Sequence, residues 1–142
     1  MSTFRSDVRD GLYAYLVAFK AANPSLLPGE VYKVRPGSLA PPCAYVGSMS
    51  EPRINQDASI RQRIMRPTVV LVQRQIVANE TGEAMDDLVD AYLDYLDGGG
   101  REHLAGGIIA TVSTQDTELD FGGTIYAATV VTHQAEIQEG RS

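Results

Sequence analysis

Met85, Leu88, Val89, Tyr92 and Leu96 recur at spacings of three and four, and seven acids with no base fill other positions between Glu80 and Asp97. A helix of that pattern has one apolar stripe and one strongly charged face, so it must lie on a core that other elements supply. Asn79 or Thr81 can cap its start, and Gly98 can end it. Gly98, Gly99 and Gly100 are a stop signal with slack. They are not a phosphate cradle, because no Lys followed by Ser or Thr comes after them and they leave a helix where a cradle enters one.

Val8, Leu12, Tyr15, Leu16 and Phe19 form a second stripe, which predicts a helix from Ser2 or Thr3 to Ala22 that Pro24 and Pro28 end. The intervening segments read as strands. Glu30 to Arg35 is a short one, closed by Pro36 and Gly37. Cys43 to Val46 is another, which Gly47, Ser48, Ser50 and Pro52 weaken into an irregular or edge strand. Asn55 to Ser59 reads as a turn. Ile60 to Val77 is rich in β-branched residues and long enough for a bent strand, with Pro67 dividing it.

Thr68 to Val77 is expected inside the sheet. The first half of that strand is expected to project beyond it as one side of a long hairpin arm, which has no hydrophobic face of its own. Leu104 to Thr114 and Thr124 to Ile137 read as an antiparallel pair of long strands joined by a polar loop holding Gly122 and Gly123. The expected class is α+β: a mixed, largely antiparallel sheet of about five strands, two helices packed against it, and a projecting β-hairpin arm. A chain of 142 residues with 44% hydrophobic content suits a single domain over 1–142.

Eighteen acids against twelve bases give a formal charge of -6, which argues against a general attraction to nucleic acid or anionic lipid. Cys43 is the only cysteine, so no intramolecular disulfide can form, and a reducing compartment fits best. The apolar run Leu12 to Phe19 follows Arg5 and Arg9 as a signal peptide would, but Asp7 and Asp10 spoil it. The run is also too short to span a membrane.

Cys43, His103 and His133 are the only candidates for a thiol and imidazole pair. They read as a buried small thiol and two surface or partly buried imidazoles. Asp116, Glu118 and Asp120 ahead of Gly122 imitate a calcium loop, yet the glycine comes one residue late and Ala127 stands where the bidentate carboxylate belongs. A solvated acidic loop is the simpler reading. No catalytic residue, cofactor or metal site is expected.

The charges are unevenly placed. Arg53, Arg61, Arg63, Arg66 and Arg74 face the single acid Asp57, whereas Asp86, Asp87, Asp90, Asp94 and Asp97 belong to the acidic helix. Asp94 and Asp97 stand at the negative end of that helix dipole, where each costs about 0.3 to 1 kcal/mol unless a cation is near. One hypothesis is that the arginine-bearing arm of one copy reaches the acidic surface of the next, head to tail, in a ring. A second is that the arm grips nucleic-acid phosphate. The net negative charge and the absence of interleaved aromatics disfavour it.

An N-terminal helix opening with Phe4 to Leu12, a Pro-rich passage from Gly37 to Pro42, and an arm leading into Thr68-Val-Val-Leu-Val are three of five features that carry a resemblance. The acidic helix ending at Asp97-Gly and a last strand with Tyr126-Ala-Ala-Thr-Val-Val-Thr complete it. Together they resemble the tail terminator, or tail completion, proteins of long-tailed bacteriophages. The resemblance implies a non-catalytic subunit of a hexameric ring, made in the host bacterial cytoplasm and placed at the head-proximal end of the virion tail. There it would cap the tail tube, halt polymerisation and dock the head-completion (connector) protein.

DNA would pass through the lumen without specific binding, and no membrane would be involved. Asp86, Asp90 and Asp94 would suit either a lumen lining that repels phosphate or the contact between subunits. The alternatives are another phage neck or head-completion subunit, or a small α+β hydrolase or isomerase with a closed pocket. The assembly reading further expects exposed strand edges and tolerance of changes at His103, His133 and Cys43.

Overall fold

The computed structural model describes residues 4–50, 60–74, 78–98 and 108–140. Chain order is α1 (Phe4–Ala22), β1 (Val31–Tyr32), β2 (Cys43–Ser50), β3 (Ile60–Gln73), α2 (Ala78–Asp97), β4 (Ile108–Phe121) and β5 (Thr124–Gly140). The strands form one sheet in the order β1-β2-β3-β5-β4, with β1 parallel to β2 and every other pairing antiparallel. This is the α+β class expected from the sequence.

Alternation along the strands divides the core in two. Ala44, Val46, Met65, Val69, Leu71, Val131 and Ala135 join the helix-side core, and Cys43, Tyr45, Val70, Val72 and Ala128 form a smaller cluster on the opposite face. Both helices lie side by side on the first face. Tyr15 and Phe19 of α1 meet Tyr92 of α2 edge-on, at centroid separations of 5.0 and 5.6 Å. The Tyr15 hydroxyl donates to the Tyr92 carbonyl, so the polar end of a buried ring is satisfied where the helices touch.

The Pro-rich passage covers the second face. Parallel neighbours need a crossover, and here an irregular connection over 33–42 supplies it instead of a helix. Leu39 packs on the Cys43 and Tyr45 cluster, the Arg35 guanidinium lies 4.4 Å over the Phe121 ring, and Arg74 Nε donates to the Pro41 carbonyl at 3.0 Å. Gly29 N–H donates to the Pro42 carbonyl at 2.8 Å. A Cβ on Gly29 would stand 2.4 Å from the carbonyl oxygens of Ala40 and Pro42, so only glycine lets the crossover close so tightly.

Several boundaries differ from the sequence expectation. Strand β1 keeps only two residues of Glu30 to Arg35, and Lys33, Val34 and Arg35 are exposed. Helix α2 begins at Ala78, so Thr81 lies inside it. Its hydroxyl donates to the Arg74 carbonyl. Gly98 N–H donates to the Asp94 carbonyl and closes the helix.

The largest revision concerns β4, which runs to Phe121. Asp116, Glu118 and Asp120 therefore stand on a strand and not in a loop. The turn is only Gly122-Gly123, with φ of 61° and 89°, the two positive values that a type I′ hairpin turn requires. Leu104 to Gly107, read as the start of this strand, lie outside the described residues.

The expected arm falls only partly within the described residues. The described pairing of β2 with β3 reaches Ser50↔Arg66, and the segment from Glu51 on, with the expected turn at Asn55 to Ser59, lies outside the described residues. Ile60–Met65 pairs along one edge with Gly140–Ala135 of β5, a partner the sequence reading did not name. The described pairing of β4 with β5 reaches Ile108↔Ala135, so among the described residues Ile60–Ile64 and Glu136–Gly140 form a two-stranded ribbon past the sheet, roughly 15 Å long at the usual strand rise. Pro67 breaks no register against β5, since Met65↔Ala135 and Thr68↔Thr132 lie on one alignment, whereas the register against β2 shifts between Val46↔Val69 and Met49↔Pro67.

Candidate assembly interface

Burial of Met85, Leu88, Tyr92 and Leu96 fixes how α2 sits and turns Asp86, Asp87, Asp90, Asp94 and Asp97 to the exterior. No base pairs with any of them among the described residues. The one ion pair there joins Lys33 Nζ to Asp10 at 3.0 Å, between half-exposed side chains.

Most described bases act on their own chain. Arg5 donates to the Met49 carbonyl at 3.1 Å, and Arg9 to the Lys33 carbonyl at 2.9 Å. Arg35 stacks on Phe121, and Arg74 holds Pro41. Arg66 is exposed and has no such partner among the described residues.

The five arginines do not form one patch. Arg53 lies outside the described residues. The backbones of Arg61 and Arg63 are on the ribbon opposite Glu139 and Ile137, and Arg66 lies where β2 joins the pairing. Arg74 follows the other end of β3, roughly 40 Å from Arg61 at 3.3 Å per residue, and tethers the crossover. The arm is also less cationic than the sequence suggested. One strand beside it, the C-terminal strand, brings Glu139 opposite Arg61 in the register.

Asp116, Glu118 and Asp120 add to the acidic surface, a placement the loop reading missed. Thr129, buried on the helix side of β5, donates its hydroxyl to Asp116 Oδ1 at 2.7 Å, which puts this row on the same side of the sheet as α2. Asp120 Oδ1 accepts from Gly123 N–H at 2.9 Å, bracing the turn. The signal was present in the sequence, since acids at every second position follow the period of a strand.

Cys43 and His133 lie on opposite faces of the sheet and cannot form a dyad. Burial pushes the Cys43 thiol up to about 11, against a smaller downward pull from a backbone hydrogen bond at Ala40. His133 is fully buried, which corrects the expectation of a surface or partly buried ring. Its Nε2 shares a 2.7 Å hydrogen bond with the Tyr92 hydroxyl, whose own ionisation burial pushes well up. His103 lies outside the described residues. Among the described residues no group of three metal-ligating side chains converges, and no helix is long and apolar enough to cross a membrane.

Fold and surface together define a class: an α+β protein whose acidic helix and acidic edge strand flank one side of a mixed sheet. No known family model and no curated protein matches the sequence.

Proposed function

We propose that the protein is a ring-forming tail terminator of a long-tailed bacteriophage, a structural subunit that caps the tail tube, halts its growth and meets the head-completion protein. One observation carries the reading beyond resemblance: the α2 aspartates and Arg66 are exposed charges with no counter-charge on their own chain among the described residues. Asp94 and Asp97 add to the negative end of their helix dipole, and α2 has no base in its last turn. A neighbour that brought arginines there would remove that cost. A contact between two different patches is heterologous, and it closes into a ring when its rotation permits. Acids left facing a lumen would keep DNA phosphates from sticking as the genome passes.

Mass in solution and electron microscopy of tail tubes test this. The wild type should reach a hexameric mass, alone or on a tube end, and should stop tube extension. Arg61→Glu with Arg63→Glu should shift the mass toward the monomer and lose the cap. An unchanged mass in the double variant would count against the arginine contact. A ring that leaves tube growth unaffected would point instead to another neck or head-completion subunit.

A further inference from the structure

The two edges of the sheet are treated differently. At one edge β1 has only two residues, and α1 closes what it leaves open: Arg5 occupies the Met49 carbonyl and Arg9 the Lys33 carbonyl. At the other edge β4 is long. Its register against β5 is unbroken from Ser113 to Phe121, and Ser113 to Glu118 are all exposed. That stretch contains no proline, glycine or lysine, the usual guards of an edge strand.

From Ser113 to Phe121 the guard that the described residues show is electrostatic. Two copies of β4 paired with each other would set Asp116, Glu118 and Asp120 of one against those of the other, and like charges placed opposite are destabilising. A strand with bases at alternate positions would face the same row favourably. The chain has two such pairs, Lys33 with Arg35 and Arg61 with Arg63. Lys33 is taken by Asp10, and Arg35 by Phe121. Arg61 and Arg63 stand on an extended strand in the ribbon that passes beyond the sheet.

We infer that β4 is the docking edge for a second copy of this chain, which adds the Ile60–Arg66 stretch of its β3 as a further strand. The inference rests on the ring reading and specifies its contact: backbone pairing gives adhesion, and arginines against Asp116, Glu118 and Asp120 set the partner and the register. It also shifts the main acidic partner of the arm from α2 to β4.

Oxidative cross-linking tests it, with buried Cys43 left in place. A chain carrying both Thr117→Cys and Gln62→Cys, positions that alternate away from the charged row and stand opposite each other when Arg61 and Arg63 meet Asp116 and Glu118, should give a ladder beyond the dimer that reductant collapses, while either variant alone stays monomeric on a denaturing gel. Thr117 is exposed, so its replacement should leave the fold intact, and circular dichroism checks this. Dimers from Thr117→Cys alone would reveal β4–β4 pairing and overturn the inference. No ladder from a double variant that keeps its native multimeric mass would also overturn it, leaving the ring standing. Monomers for the wild type in solution and on tail tubes would remove the ring reading itself.

Discussion

Cys43 shows how far a residue's chemistry follows from its neighbours. Tyr45, Val70, Val72 and Ala128 share its cluster and the crossover roofs it, so the thiol is held in its neutral form. A thiol reagent should therefore label the native protein slowly at neutral pH and the unfolded chain fully. Because the folded pKa lies above the ordinary value near 9, the stabilisation is complete below about pH 9 and is lost as pH climbs through about 11. Urea midpoints should fall across that window for the wild type more steeply than for Cys43→Ala. Tyr15 and Tyr92 are shifted in the same direction, so the variant is what isolates the thiol. Equal slopes would refute the assignment. Tolerance of changes at Cys43 and His133 does not follow from this structure: both are core positions, and His133 also bonds Tyr92.

The acidic helix is the element in which local stability and surface chemistry conflict. Asp94 and Asp97 oppose the dipole and meet no base among the described residues, so replacing both with asparagine should stabilise the isolated chain by about 0.6 to 2 kcal/mol. That corresponds to roughly 2–6 °C in Tm by calorimetry, and an unchanged or lower Tm would contradict it. Both helices were legible because Leu12, Phe19, Leu88 and Tyr92 follow a period that any core-facing helix must show. The strands were legible in number but not in extent. Asp116, Glu118 and Asp120 read as loop because acids are rare in buried strands, yet an edge strand has little to bury and keeps only its alternation. The partnership of Ile60–Met65 with the C-terminal strand was not legible, because pairing between distant segments depends on where the intervening helix sends the chain.

At the scale of the whole molecule, assembly has to overcome net charge. Each copy carries -6, so association brings like-charged bodies together and requires local complementarity at the contact. Arg61, Arg63 and Arg66 against Asp116, Glu118 and Asp120 would provide it, as would the same arginines against α2. The groups described among these are exposed, and their attraction is screened once the Debye length drops from about 10 Å at 0.1 M salt to about 3 Å at 1 M. Backbone pairing along β4 is far less sensitive to salt. Raising sodium chloride over that range should therefore weaken self-association by roughly tenfold or more without changing the fold, as read by sedimentation beside circular dichroism. In Glu118→Lys self-association should already be weak at low salt, and adding Arg63→Glu should restore part of it, since the pair is then reversed and not removed. A multimer indifferent to salt, and equally indifferent to both variants, would mean that some surface other than these charges holds the copies together.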